Sequence, residues 1–249
     1  MLTFKNVTFR YPEDETAMME NLSFHVERGA FVSLIGASGC GKSTVFRLIN
    51  RLLEPQNGEI FVDGKEIHQI RSYAGYMPQK DLLFPWRTIE KNLCLPMEIQ
   101  KIGREEQKER VPRVLEQVGL EGYRNKYPKD LSGGMRQRIS FARTLLTEAD
   151  LMLLDEPFSA LDALTRMDMQ EWLLHQWEHF HKTIVFITHD VEEAVFLSKK
   201  IYIITETPMT HLEVVDVPEG YPRNREFLRR PDIEMLKEKL TRQLRKQVN

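Results

Sequence analysis

Gly36-Ala-Ser-Gly-Cys-Gly-Lys-Ser43 follows the apolar run Ala30-Phe-Val-Ser-Leu-Ile35 and precedes a segment in which Val45, Phe46, Leu48 and Ile49 fall at helical spacing. The octet matches G-x-x-x-x-G-K-[ST], a pattern that average residue frequencies produce in about one chain of this length in a hundred. Its setting, after a strand buried on both faces and before a helix, makes a chance match far rarer. The glycines let the backbone curl until successive N–H groups point inward at phosphate oxygens. The start of the following helix adds partial positive charge. Lys42 is placed to reach the β- and γ-phosphates of a nucleotide, and Ser43 to offer a hydroxyl to Mg²⁺. A glycine turn with an incidental lysine is the bland alternative, and the strand–turn–helix context argues against it.

Two further stretches fit that reading. Leu151-Met-Leu-Leu-Asp155 is an apolar strand ending in an acid, where a nucleotide-hydrolysing protein needs an oxygen ligand for Mg²⁺. Glu156 comes next. Side chains alternate along extended backbone, so Glu156 is aimed differently and is suited to act as general base toward water. Alone, the pair is an ordinary strand end; beside the phosphate loop it is informative. Leu131-Ser-Gly-Gly-Met-Arg-Gln-Arg138 opens a helix that continues through Ile139, Phe141, Ala142, Leu145 and Leu146. Ser132 suits an N-cap, and Gly133 and Gly134 leave backbone N–H groups open to an anion. A capped helix start would explain an isolated Ser-Gly-Gly. Here the chain holds two phosphate-directed devices, and one nucleotide needs only one. The second is expected to serve a nucleotide held by another subunit.

Outward from these motifs the chain alternates. Leu2, Phe4, Val7 and Phe9, then Leu22, Phe24 and Val26, read as strands, as do Ile60–Val62, Thr183–Ile187 and Lys200–Ile204. From about Leu82 to Ala149 helical spacing and charged faces dominate. The expectation is a largely parallel sheet with covering helices and a helical insertion. The 249 residues carry 35 Lys+Arg and 37 Asp+Glu, a formal net charge of −2, with 41% hydrophobic residues. Such a balance argues against a protein whose main business is coating nucleic acid. The longest uncharged run, Gly29–Gly41, is 13 residues, against roughly 20 for a spanning helix. No basic-then-apolar leader is evident, and Cys40 and Cys94 form no metal-spaced pair, so reduced thiols in the cytosol are expected. Residues 219–249 carry a net +4, and Ile233, Leu236, Leu240, Leu244 and Val248 share one helical face. That is first a surface helix packed through its seam, and second a basic contact with a membrane or partner.

In order and spacing these motifs resemble the ATP-binding subunit of an ABC transporter, over essentially the whole chain. The resemblance implies an α/β fold: a P-loop NTPase core with a mixed sheet (1–81 and 150–218), an inserted helical subdomain (82–149) and a C-terminal helical extension (219–249). Gly36, Ala37, Ser38, Gly39, Cys40, Gly41, Lys42, Ser43 and Thr44 resemble the Walker A loop, and Leu151–Asp155 with Glu156 the Walker B strand and catalytic glutamate. Leu131–Met135 is similar to the signature Leu-Ser-Gly-Gly-Gln, with Met135 in place of a glutamine, so that side chain donates no hydrogen bond. Gln79 is similar to the Q-loop glutamine, which in the family touches Mg²⁺ and the attacking water. Ser159-Ala-Leu-Asp162 resembles the D-loop, and His189 in Ile187-Thr-His-Asp190 the switch histidine that contacts the γ-phosphate. Tyr11 in Phe9-Arg-Tyr-Pro12 resembles the aromatic that stacks on adenine. A lone tyrosine at a strand end is usually packing and a lone histidine after a strand usually a satisfied surface group; their order among the motifs singles these two out.

The resemblance implies ATP and Mg²⁺ as cofactors, Ser43, Gln79 and Asp155 toward the metal, and Lys42, Gln79, Glu156 and His189 as the catalytic set. It implies a second copy of the chain as partner, transmembrane permease subunits, and indirectly an extracytoplasmic solute-binding protein. It places the chain in the cytoplasm on the inner face of the membrane and assigns no nucleic-acid partner. Asp81-Leu-Leu-Phe-Pro-Trp-Arg87, Asp162–Arg166 and Thr188–Val195 resemble the nitrate/sulfonate/taurine import branch, which includes importers of the thiamine pyrimidine precursor; Tyr76–Gln79 and Leu95–Met97 tilt toward the latter. The bulky residues of Leu82–Trp86, interrupted by Pro85, are expected to form an irregular surface loop that receives a membrane subunit, or else to fold back as core. The alternative function is a soluble ABC ATPase acting on nucleic acid or in cofactor assembly. Lys42 and Asp155 lie 113 positions apart, which leaves no room for the long coiled coil of the DNA-repair relatives. A P-loop kinase is opposed by Leu131–Gly134.

Overall fold

The structure, a computed structural model, describes residues 1–218 and 220–245. In chain order the first half runs β1 (Leu2–Phe9), β2 (Met19–Val26), β3 (Phe31–Ile35), α1 (Lys42–Ile49), β4 (Asn57–Val62), β5 (Lys65–Glu66), β6 (Ala74–Met77), α2 (Ile89–Ile99) and α3 (Arg104–Gln117). The second half runs α4 (Gly133–Leu145), β7 (Leu151–Asp155), α5 (Ala163–Phe180), β8 (Thr183–Ile187), α6 (Val191–Leu197), β9 (Lys200–Ile203), β10 (Glu213–Asp216) and α7 (Pro231–Arg245). The chain divides into two compact units, one of residues 1–73 and 170–249, the other of residues 74–169. The helical stretch expected at 82–149 lies inside the second unit, which also holds β6, β7 and the first turns of α5.

In the first unit, β1 is flanked by β2 and β4, antiparallel on both sides. Leu2 and Phe4 point inward, an irregularity at Asn6 (φ 51°) shifts the register, and Val7 and Phe9 then point inward too; Phe4 stacks on Phe24 with ring centroids 4.5 Å apart. A second sheet sets β3 between β8 and β9, parallel to both, with β10 antiparallel at the edge beyond β9. Every residue of β3 and of β8 is buried, which is why both read as near-continuous apolar runs rather than alternating ones. The chain leaves β3 at its C-terminal end, the end of a parallel strand where α/β folds place their sites. Helix α7 packs through Ile233 and Leu240, both buried, with Leu236 and Leu244 half-buried on the same seam. Val248, also expected on that seam, lies outside the described residues.

In the second unit β6 and β7 pair in parallel, Tyr76 opposite Leu153 and Met77 opposite Leu154. Helix α4 packs on β6. An added Cβ at Gly75 would stand 2.8 Å from both Thr144 Cγ2 and Thr147 Oγ1, so only glycine lets strand and helix meet this closely. Helices α2 and α3 bury Ile89, Leu93, Met97, Val111, Val114 and Leu115 into the same core. No helix among the described residues is long and apolar enough to cross a membrane.

Candidate active site

The P loop is built by three side-chain absences. A Cβ on Gly36 would lie 2.6 Å from Cys40 Sγ. Gly41 has φ 104°, a backbone angle that demands glycine, and a Cβ there would also crowd Met18 Sδ at 2.9 Å. Gly39, at φ 81°, completes the curl. Inside it Lys42 is buried, its ammonium donating to the carbonyls of Gly36 at 2.8 Å and Ala37 at 2.9 Å. Its remaining contact is with Cys40 Sγ at 4.0 Å, a weak acceptor that a phosphate oxygen would outcompete. Ser43 is exposed at the first turn of α1, and burial pushes the Cys40 thiol pKa up, so that loop cysteine stays neutral.

Tyr11 stands beside this loop. Its hydroxyl lies 3.0 Å from Thr44 Oγ1 and accepts from Arg47 at 3.3 Å, while its ring meets Phe9 edge-on at 4.9 Å. The half-buried ring is therefore held at the start of α1. His189 is exposed two residues beyond the end of β8. The residues around it are fixed: Thr188 donates to buried Glu193 at 2.7 Å, Asp190 N–H donates to Thr188 Oγ1 at 3.0 Å, and the Asp190 carboxylate caps α6 through Glu192 and Glu193 N–H. Glu193 also accepts from Gln170 at 2.9 Å. A buried carboxylate so satisfied makes a rigid mount for an exposed imidazole.

At the end of β7, Asp155 accepts from the Tyr76 hydroxyl at 3.2 Å across the β6–β7 pair. Glu156 sits at φ 43°, uncommon for a residue with a side chain. Pro157 disfavours the right-handed helical region there, and the reversal swings the Glu156 side chain off the strand line. Gln79 Nε2 lies 3.4 Å from Glu156 Oε2 and 3.2 Å from Ser159 Oγ, and Ser159 Oγ donates to the Glu156 carbonyl at 3.0 Å. Gln79 thus joins Glu156 and Ser159, 77 and 80 residues further along the chain, in one polar cluster next to Asp155.

Ser132 is the N-cap of α4, its Oγ accepting from Met135 N–H at 3.3 Å, as its residue type leads one to expect. The two glycines differ. Gly134 is buried against α5, where a Cβ would meet Thr165 Cγ2 at 2.9 Å, so its bareness serves packing. Gly133 is half-buried and lines a cavity of about 510 Å³ together with Gln79, Asp81, Arg136 and Ser159.

Sequence reasoning did not anticipate how the segment after Gln79 is held. Arg136 on α4 donates to the Asp81 carboxylate at 3.1 Å and to the Leu131 carbonyl at 2.8 Å. Arg143, two turns on, donates to the backbone carbonyls of Asp81 at 2.7 Å and Leu82 at 2.9 Å. Burial lowers the Arg143 pKa, with Asp81 opposing the shift. Asn92, fully buried in α2, accepts from Phe84 N–H at 2.7 Å and donates to the carbonyls of Phe84, Arg87 and Thr88 at 3.0–3.2 Å. The signal was present: an asparagine among the buried positions Ile89, Leu93 and Met97 must find partners. Between these anchors Leu83 turns into the core, whereas Leu82 (59% exposed) and Trp86 (72%) face outward, and Phe84 is half-buried against Trp86 and under Arg87. The loop therefore divides: of the four large apolar side chains expected to be available, Leu83 belongs to the core.

Residues 19–159 match the ABC transporter family model. The chain belongs to the ABC transporter family. It is 43% identical over 226 residues to the formylaminopyrimidine import ATP-binding protein ThiZ of Halalkalibacterium halodurans, covering 91% of this chain and 88% of that one. It is 41% identical over 208 residues to the aliphatic sulfonates import ATP-binding protein SsuB of Bacillus anthracis, covering 84% and 82%. Among solved structures it is similar to the dimeric, post-hydrolysis ATP-binding cassette MJ0796 bound to ADP and Pi, with TM-score 0.74, 30% identity, and coverage of 89% of this chain and 100% of that chain. The α/β P-loop NTPase fold with a mixed sheet follows from these likenesses and from the strands above. As an ABC ATP-binding subunit the chain binds ATP and couples its hydrolysis to transport.

Proposed function

We propose that this ABC ATPase drives import of a small polar organic solute, working as a head-to-tail pair of identical chains. The carrying observation is the Gln79–Glu156–Ser159 cluster beside Asp155, in a chain whose P loop already holds its lysine inward. Lys42 binds the β- and γ-phosphates. Ser43, Asp155 and the Gln79 amide oxygen are hard donors of the kind Mg²⁺ takes, and when bound the ion neutralises charge on the leaving phosphate oxygens. Glu156 polarises water, with Gln79 donating to its carboxylate and Ser159 to its backbone carbonyl, and His189 supports the γ-phosphate. Tyr11 offers its ring to adenine. Ser132 and Gly133 of the partner copy present N–H groups and the helix dipole to the same phosphates. ATP then favours the closed pair because the γ-phosphate supplies contacts made only there, and hydrolysis removes them.

Trp86, Leu82 and Phe84, held out on an Asn92-stapled loop next to Gln79, supply an apolar seat for a cytoplasmic segment of the permease, which places the pair at the inner membrane face with a solute-binding protein beyond. The core boundaries 1–81 and 150–218, the insertion 82–149 and the extension 219–249 are part of this reading. The relatives named for formylaminopyrimidine and for sulfonates bracket the solute class. Phosphate release by the purified chain tests the chemistry: Glu156→Gln should lower it at least about a hundredfold with ATP binding kept, the scale expected for loss of a general base. Near-normal release would overturn the assignment. Uptake of labelled aminopyrimidine and sulfonate by cells with and without the gene tests the solute; unchanged uptake of both would reject the class.

A further inference from the structure

The last turns of α5 carry two exposed histidines that ATP hydrolysis leaves unused. His175 and His179 are four residues apart, so their side chains lie one above the other on the helix. Their ring centroids are 4.3 Å apart with planes at 42°. Two imidazoles bound at right angles to one metal ion, each at about 2.1 Å, put their centroids roughly 4.5 Å apart. The rings already stand at that separation.

A second observation concerns the proton. His179 Nδ1 lies 2.7 Å from the His175 backbone carbonyl. A carbonyl oxygen only accepts, so Nδ1 carries a hydrogen, and in the neutral ring that leaves the lone pair on Nε2. This is the arrangement metal-ligating histidines adopt, one ring nitrogen donating to a carbonyl while the other binds the ion. The pair also sits at the C-terminal end of α5, where the helix dipole favours a cation. Glu171, one turn before His175, is tied to Arg225 at 2.8 Å. No group of three or more His, Cys, Asp or Glu side chains able to hold a metal occurs among the described residues, so the protein ligands number two.

We propose that His175 and His179 form a two-point chelate for a divalent transition-metal ion of the imidazole-preferring class, Cu²⁺, Ni²⁺ or Zn²⁺, with water in the remaining positions. Hard cations such as Mg²⁺ are excluded by the all-nitrogen donor pair, and Cu²⁺ should bind tightest. The site is distinct from the nucleotide site and clamps the helix end that feeds β8. The test uses the full chain without a histidine tag. Calorimetric titration with CuCl₂, NiCl₂ and ZnCl₂ should show one high-affinity equivalent. His175→Gln and His179→Gln should each weaken it at least about tenfold, and the double variant should abolish it. Both positions are exposed, so the variants should melt like the parent in EDTA; only the parent's melting temperature should rise with metal. Equal affinity in parent and double variant would mean an adventitious ion at another histidine and overturn the proposal, as would the absence of any bound equivalent.

Discussion

Replacing Asn92 by alanine isolates what holds the outward-facing loop. Its side chain is fully buried and makes one acceptor bond, to Phe84 N–H at 2.7 Å, and donor bonds to three carbonyls at 3.0–3.2 Å. The amide has two N–H groups, so one is shared and the net count is three bonds. At about 1 kcal/mol each, the loss is about 3 kcal/mol, less whatever water recovers at the partly exposed loop. For a chain of this size about 2–4 °C of melting temperature follows each kcal/mol, so Asn92→Ala should melt about 5–10 °C lower. Asn92→Asp, isosteric but without donors, should lose most of the same stability, which separates hydrogen bonding from packing. Trp86 fluorescence should change in both variants because its loop loses its backbone anchors. A melting temperature within about 1 °C of the parent in both variants would refute the reasoning.

Arg143→Met keeps the apolar stem but strips the Asp81 and Leu82 carbonyls of their donor; it should cost about 2 kcal/mol of stability and lower kcat while leaving ATP affinity unchanged, as read by steady-state phosphate release and equilibrium nucleotide binding. Phe84→Ala with Trp86→Ala should leave the melting temperature and ATP affinity of the isolated chain nearly unchanged while preventing co-purification with the membrane subunits; a large stability loss would assign these rings to the core.

The parts of the site visible in the sequence are those whose chemistry is local. The P loop is contiguous, with a mostly apolar strand before it and apolar residues at helical spacing after it. Ser132 caps because serine before a glycine-led helix does little else as well. What stayed hidden depends on pairing across the chain. β6 is Ala74-Gly-Tyr-Met77, poor in β-branched residues, and is a strand because β7 pairs with it and α4 rests on Gly75. β10 is an edge strand of half-exposed residues whose Val214 faces solvent, so neither alternation nor an apolar run marks it. The split of Leu82–Trp86 into one core and two outward side chains was equally illegible, since a run of bulky residues gives no direction without the Asn92 staple and the Arg143 clamp. That the missing Cβ of Gly134 also lets α4 meet Thr165 was hidden for the same reason.

In the proposed pair each nucleotide lies between the P loop of one copy and the Ser132 helix of another. Sedimentation of the Glu156→Gln chain with and without MgATP tests it most directly, repeated with Ser132→Arg added. The expected species are a monomer without nucleotide, a dimer with MgATP, and, with Ser132→Arg, a monomer that still binds ATP with the parent's affinity. A dimer that forms undiminished in the Ser132→Arg chain would contradict it.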